Sequence, residues 1–393
     1  MENKNITLGV FGFGCVGQGL HNVLNLTERI DARIKTICIK HPEKPRTLDT
    51  KFFTTDRNAI LNDPEIDVVV ELIDDADAAF EIVKTALSNG KAVVSANKKM
   101  IAEHMEELYD LQLKYKTSFL YEGSCCASIP IIRNLEEYYD NDLLNSVEGI
   151  FNGSTNFILD KIFEEKLSFD VALKQAQDLG FAETDPKLDI EAFDPKFKLC
   201  IILLHAFGLF IKPEDVYNFG IHRLNDFDIN YANEKNFKIK LVARCKKVNN
   251  KIVAYVLPQF VDSKNKLRDV NKEYNGIVLE SVFSESQFFV GKGAGSNPTG
   301  SAVLSDISAL TYNYKYEYKK LNQRVKYSYH SEEELRIYLR YKNIEEVDFN
   351  DFNRIEQRFE SDNENYIIGT INLQKIIAAD WLKKNDVNII SLN

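Results

Sequence analysis

The sequence predicts an α/β protein: an N-terminal doubly wound parallel sheet, then an α+β domain with a mixed sheet, then a small C-terminal α/β piece. Three observations predict it. Up to about residue 144, short Val/Ile-rich runs alternate with stretches of helical spacing. A glycine-rich turn follows the first of these runs. From about residue 145 the alternation gives way to longer strand candidates with helices between them. A chain of 393 residues is too long for one core, which suits two or three domains.

In order, Ile6–Phe11 reads as a strand ending in glycines and Gly17–Leu26 as helix. Strands follow at Ile34–Ile39 and Asp67–Leu72, then a helix at Ala76–Ser88 that stops at Asn89-Gly90. Lys91–Ala96 is the next strand, a helix runs to about Lys114, and Ser118–Tyr121 closes the alternation. Continuous apolar strands separated by helices mean a parallel sheet covered on both faces, a Rossmann-type dinucleotide-binding domain spanning 1–144. The second domain, 145–312, has strand candidates at Ser146–Phe151, Lys238–Cys245, Ile252–Pro258, Gly276–Phe283 and Ser286–Gly291. Its helices are expected at Asn156–Glu165, Phe169–Leu179 and Pro195–Phe207. A Tyr/Lys-rich stretch opens the tail, 313–393, whose remainder reads as alternating strands and helices.

The composition, 44% hydrophobic and 27% charged, is that of a soluble globular protein. A net charge of −10 argues against a nucleic-acid surface, no apolar run reaches membrane-spanning length, and the N-terminus lacks the pattern of a signal peptide. A cytoplasmic protein is expected. The six cysteines fit neither a disulfide framework nor a CxxC zinc site, and most sit in apolar stretches as small hydrophobes.

Gly12-Phe13-Gly14-Cys15-Val16-Gly17 is a G-x-G-x-x-G. By itself that is a weak signal, but here it follows a strand and opens a helix at the head of the alternation. Gly12 permits the tight turn, Gly14 lets a pyrophosphate approach, and Gly17 lets helix pack on strand, with the amides of Cys15 and Val16 facing the anion. The end of the second strand carries Lys40 and His41, with Lys44 and Arg46 behind, where an acid would take the ribose hydroxyls of NAD. These cations favour NADP. NAD remains open, as does the reading of them as solvated loop charges.

Asp194-Pro195 reads as an N-cap and first helical residue, with Lys198 four residues beyond Asp194. The rest of that helix is almost wholly apolar, so a lysine at its mouth needs a partner and is a candidate acid. Lys98 follows a parallel strand on the sheet edge where ligands bind, while Lys99 is expected to face solvent. The bland alternatives are a capped helix beside an acidic turn, and an ordinary loop lysine.

Four further segments, VVSANK at 93–98, FNGSTNFIL at 151–159, GFAETDPKLDIEAFDPKFK at 180–198 and GKGAGSNPTGSAVLSDI at 291–307, resemble the homoserine dehydrogenase family. The resemblance extends over roughly residues 6–310. It implies NAD(P)-dependent interconversion of L-aspartate 4-semialdehyde and L-homoserine, in threonine and methionine biosynthesis, by a homodimer whose second domain holds the substrate and dimerises. It places the proton donor at Lys198, with Lys98 polarising the carbonyl or meeting cofactor and substrate, and Asp194 orienting one of these lysines. Glu183 and Asp189 are implied at the ammonium and hydroxyl end of the substrate. Asn152, Gly153, Ser154 and Thr155 could hold its carboxylate, unless Ser154 or Thr155 merely caps a helix. Ser95 and Gly295 are implied beside the cofactor, although glycine flexibility alone would explain Gly295.

Two places depart from the family. Its Gly-rich cation-binding stretch appears here as Glu122-Gly123-Ser124-Cys125-Cys126-Ala127-Ser128-Ile129, with Ala127 and Ser128 replacing two glycines. A sodium site at Glu122, Cys125, Ala127 and Ile129 stays open, because backbone carbonyls coordinate whatever the side chain. Asp74-Asp75 stand where Gly-Gly is frequent, and would repel phosphate unless they cap the next helix at Asp75 or Asp77. The tail resembles a shortened ACT-type regulatory domain, with oligomer contacts as the other reading. Competing functions are another two-domain aldehyde or amino-acid oxidoreductase and an inactive nucleotide-binding sensor.

Overall fold

The computed structural model describes residues 5–46, 48–141 and 143–392; the first four residues of the N-terminus read above and the last residue of the tail lie outside them. Two compact units are present. The first comprises residues 1–140, 204–210 and 291–322, and the second 141–203, 211–290 and 323–393.

The first unit alternates as expected: β1 (Ile6–Phe11), α1 (Cys15–Leu26), β2 (Ala32–Cys38), β3 (Phe53–Thr54), α2 (Asn58–Leu61), β4 (Val68–Glu71), α3 (Ala76–Ser88), β5 (Ala92–Ser95), α4 (Lys98–Tyr115), β6 (Phe119–Leu120) and α5 (Ile131–Arg133). Its six strands run in the order β3-β2-β1-β4-β5-β6, every pairing parallel. The β1 residues and Val68, Val69, Val70, Val93 and Val94 are buried, which is why these strands read as continuous apolar runs. Strand order reverses between β1 and β4, the switch point where such sheets take their ligands. The Asp75 carboxylate caps α3 by accepting the Ala78 N–H at 3.0 Å, so one of the two departing acids is a helix cap.

The second unit opens with β7 (Leu144–Ile150), α6 (Gly153–Glu165), α7 (Phe169–Asp178), α8 (Lys187–Ile190) and α9 (Phe193–Phe207), whose last residues fall in the first unit. It continues through β8 (Tyr217–Asn218), α10 (Asp226–Glu234), β9 (Lys238–Val248), β10 (Lys251–Val261), β11 (Tyr274–Ser281) and β12 (Glu285–Lys292). The next helix, α11 (Ser296–Leu310), belongs to the first unit, where it packs on α1, although the sequence groups it with the second domain. The tail supplies β13 (Ser328–Tyr329), β14 (Glu334–Tyr341), β15 (Phe352–Phe359), β16 (Asn365–Asn372), α12 (Leu373–Ala378) and β17 (Asn388–Ser391). Its strands extend the same mixed sheet, ordered β12-β11-β7-β9-β10-β17-β14-β16-β15. One apolar cluster joins Val253 and Tyr255 of β10 to Leu335, Ile337, Ile367, Trp381 and Ile389 of the tail.

Candidate active site

In the first unit, α1 starts at Cys15, two residues earlier than its apolar spacing suggests, so Cys15, Val16 and Gly17 form its first turn. Gly12 has φ +92°, and a Cβ there would lie 2.6 Å from the Leu72 carbonyl oxygen. A Cβ on Gly17 would lie 2.5 Å from the Gly12 oxygen. A Cβ on exposed Gly14 would meet nothing within 4 Å. Two of these glycines are therefore required by protein contacts and the third by nothing in the protein, which fits a phosphate lying against it. Gln18 donates the first helical hydrogen bond back to Gly14, so the amides before it point out of the turn, as an anion site requires.

Ser296 Oγ donates to the Cys15 carbonyl at 2.8 Å, and exposed Gly295 caps α11 at φ +118°. The GAGSNPTG segment therefore sits at the phosphate turn. At the end of β2, Lys40, His41 and Lys44 are exposed. Arg46 is committed to the loop itself, donating to the Lys44 and His41 carbonyls at 2.8 and 2.7 Å.

Lys98 is half-buried at the first position of α4, and Lys99 is exposed. Asn97 caps the helix by accepting the Met100 N–H at 3.0 Å, and donates to the Ile73 carbonyl at 3.0 Å. Ser95 is buried and donates to Glu71 at 2.6 Å while accepting the Asn97 N–H, so its hydroxyl is spent inside the protein. Burial pushes the Glu71 carboxyl up to about 7, against the pull of the Ser95 hydroxyl and the Ile73 N–H. Neither Asn97 nor Glu71 stands out in the sequence. The N-capping spacing before Met100 was the available sign for Asn97, and there was none for Glu71.

At the other departing stretch, buried Glu122 accepts the N–H groups of Ile132 and Arg133 at 2.8 and 2.9 Å. Buried Asp306 accepts the Glu122 N–H and Arg133 Nη2, both at 2.8 Å. Burial and the neighbouring Asp306 raise Glu122 to about 8. Cys126 and Ala127 hold φ of +55° and +38°, so Ala127 keeps a left-handed turn without the glycine that would favour it. Among the described residues no group of three or more His, Cys, Asp and Glu side chains is placed to hold a metal ion, so any cation here would rely on carbonyls.

In the second unit one hydrogen-bonded cluster gathers four of the expected residues. Lys198 Nζ donates to Asp194 Oδ2 at 2.7 Å and to the Phe151 carbonyl at 2.6 Å, with lysine and aspartate both buried. Asn152 Nδ2 donates to Asp194 at 2.8 Å and to Asp189 at 2.6 Å. The Asn152 carbonyl oxygen accepts the Thr155 N–H at 2.8 Å and so caps α6.

Two local expectations are corrected. The cap of α6 is Asn152, not Ser154 or Thr155. The Ser154 hydroxyl donates to the Phe181 carbonyl, and the Thr155 hydroxyl to that of Asn152. Asp194 lies inside the first turn of α9 rather than capping it, because its carboxylate is taken by Asn152 and Lys198. Gly153 is glycine because a Cβ would lie 2.6 Å from the Glu273 carbonyl oxygen. Glu183 is exposed and Asp189 half-buried. Lys196 is buried too, its ammonium 4.8 Å from the Phe193 ring centre, whereas the Lys198 ammonium reaches Asp194.

The homoserine dehydrogenase profile matches residues 130–308, and the profile of the homoserine dehydrogenase NAD-binding domain matches residues 12–122. A homoserine dehydrogenase of Bacillus subtilis is 33% identical over 321 residues, covering 79% of this chain and 74% of that protein. The chain belongs to the homoserine dehydrogenase family. The structure of a homoserine dehydrogenase from Thiobacillus denitrificans matches with a TM-score of 0.86 and 28% identity, over 99% of this chain and 98% of that one. A hyperthermophilic archaeal homoserine dehydrogenase mutant, solved with NADPH, matches with a TM-score of 0.68 and 25% identity, over 80% of this chain and all of that one (100%). As in other homoserine dehydrogenases, the first unit is a nicotinamide-nucleotide domain. No helix among the described residues is long and apolar enough to cross a membrane.

Proposed function

We propose that the chain catalyses the reversible, NAD(P)H-dependent reduction of L-aspartate 4-semialdehyde to L-homoserine, in threonine and methionine biosynthesis, as a cytoplasmic homodimer. The observation that carries this reading is the buried lysine of α9, held by Asp194 and tied through Asn152 to Asp189. An ammonium paired with a carboxylate in such a place can give a proton to a developing alkoxide. The bound nicotinamide supplies the hydride. Lys198 protonates the substrate oxygen, and Asp194 orients Lys198. Lys98, at the start of α4, polarises the carbonyl. Asp189 and Glu183 take the ammonium and hydroxyl end of the substrate. The amides at the start of α6 take its carboxylate, and Ser154 contributes through its backbone because its hydroxyl is engaged.

NADP is the preferred nucleotide in this reading. With Arg46 folded onto its own loop, the exposed Lys40 and Lys44 are the cations left for a 2′-phosphate. Ser95 and Gly295 support the nucleotide through backbone rather than side chain. Sodium fits beside Glu122 and the carbonyls of Cys125, Ala127 and Ile129, since the Arg133 guanidinium donates to buried Asp306 while the neighbouring buried Glu122 carboxyl accepts backbone N–H groups. Replacing sodium by choline at constant ionic strength should lower the melting temperature of the protein but not of a Glu122→Gln variant; equal melting in both salts removes the cation.

The test of the reaction is product formation from L-aspartate 4-semialdehyde with NADPH and NADH side by side. L-homoserine forms with both or with NADPH alone, and faster with NADPH. No homoserine with either nucleotide defeats the proposal, and faster turnover with NADH defeats the NADP preference.

A further inference from the structure

In the first unit, the ends of β4 and β5 are closed by a ring of side-chain hydrogen bonds to which the proposed reaction gives no part. Glu71, the last residue of β4, pairs with Ser95, the last residue of β5, across the parallel ladder. The Glu71 carboxyl divides its oxygens, Oε1 accepting the Ile73 N–H at 2.7 Å and Oε2 the Ser95 hydroxyl at 2.6 Å. Ser95 Oγ accepts the Asn97 N–H at 3.0 Å, and Asn97 Nδ2 donates to the Ile73 carbonyl at 3.0 Å. The ring thus runs from Glu71 through Ser95 and Asn97 to Ile73 and back.

Lys98 is the next residue along the chain. Asn97 caps α4 through the Met100 N–H, so whatever fixes Asn97 also fixes the direction in which that helix starts. The rest of α4 does not set that direction. The helix is broken at His104, with φ −119° and ψ 19°, where the imidazole stacks on the Phe80 ring at 3.8 Å. The residues from Lys98 to Glu103 are a short piece of their own. On the other side of the ring, Leu72 N–H donates to the Phe11 carbonyl at 2.8 Å, and the Leu72 carbonyl lies against Gly12. The phosphate turn and Lys98 are therefore both located against residues 71–73.

Glu71 and Ser95 are buried in a Val-rich sheet. An apolar side chain would fill that place without the desolvation a carboxyl suffers, so packing alone gives no reason for an acid. What the acid adds is direction: two acceptors at a fixed angle, each holding the end of a different strand.

We propose that Glu71 is a positioning residue for the reaction: through Ser95 and Asn97 it fixes the first turn of α4 and so holds the Lys98 ammonium where the aldehyde oxygen is polarised. Glu71 touches neither substrate nor nucleotide, and its effect passes through Lys98. A displacement of about 1 Å at a polarising group is enough to slow a reaction on the order of 10²-fold. The proposal rests on the role given to Lys98 under the proposed function.

The test is kcat at saturating NADPH and L-aspartate 4-semialdehyde for Glu71→Leu, Glu71→Gln and Ser95→Ala, each alone and combined with Lys98→Ala. A glutamine can still meet both Ser95 and the Ile73 N–H, whereas a leucine of similar size meets neither. Glu71→Leu and Ser95→Ala should each lower kcat at least tenfold, and Glu71→Gln should stay within threefold of the parent. In the Lys98→Ala background the same changes should move kcat less than threefold, because the group they position is gone. A merely structural role would lower kcat by the same factor in both backgrounds. Equal losses with and without Lys98, a parental kcat in both Glu71→Leu and Ser95→Ala, or a glutamine as slow as the leucine overturns the proposal. Ser95→Ala removes only a hydroxyl, so it decides the matter even where the leucine variant does not fold. Failure of the underlying reading has a different signature: a parent that makes no L-homoserine, or Lys98→Ala as fast as the parent, removes the role of Lys98 and the positioning with it.

Discussion

At the scale of the residue, Asn152 does two things at once. Its side-chain oxygen caps α6 and its amide nitrogen ties Asp189 to Asp194. Asn152→Ala should therefore cost about 1 kcal/mol as a lost cap, visible in urea denaturation, and also raise KM for the aldehyde. Asn152→Ser restores the cap without the bridge, so it should recover stability but not KM. Removing Asp194 is more serious, because it strands a buried ammonium; Asp194→Ala should cost about 3–5 kcal/mol. Glu71 gives a pH signature. Its folded pKa of about 7 stands above the ordinary glutamate value of 4.5, so the folded state keeps a proton that the unfolded chain has released. Stability then falls as pH rises from 4.5 towards 7, by at most about 1.4 kcal/mol per unit, and Glu71→Gln should flatten that slope. An equal slope in the variant would assign the change elsewhere. Of these residues, Asp194 and Lys198 were legible in the sequence because their four-residue spacing at the mouth of an apolar helix demands a pair. Glu71 was not, since a carboxyl closing a Val-rich strand looks the same whether it is exposed or sealed under Ser95.

Between elements, the decisive contact is the crossing of α1 and α11. A Cβ on Gly19 would lie 1.9 Å from the Ser296 carbonyl oxygen, and one on Gly300 would lie 2.4 Å from the Gly19 carbonyl carbon. Both clashes are with backbone, so the helices would have to separate. Gly300→Ala should destabilise the protein by about 1–3 kcal/mol, and because the same helices carry Cys15 and Ser296 it should also weaken nucleotide binding. A thermal melt with and without NADPH reads both effects; an unchanged melt would show that the helices adjust freely. The phosphate turn was legible from Gly12, Gly14 and Gly17, since their spacing between a strand and a helix is a local pattern. The crossing was not. Gly19 and Gly300 are remote in sequence, and nothing local to either predicts the other. The same blindness assigned α11 to the second domain.

At the scale of the whole chain, the two sheets and the change of pattern near residue 145 were legible because strand period and helix spacing are local properties. The tail was harder to read. Its strands look like a separate small α/β piece, yet β17 pairs with both β10 and β14 and carries the mixed sheet onward. Which edge a strand joins depends on partners far away in sequence, and register follows from them rather than from its own residues. The central claim is that Lys198, held by Asp194, gives the proton when the aldehyde is reduced. Its most direct test is kcat for NADPH oxidation with L-aspartate 4-semialdehyde by Lys198→Met, in a variant whose circular dichroism and NADPH affinity match the parent. We predict a fall of about 10²–10⁴-fold; a kcat equal to that of the parent would contradict the account.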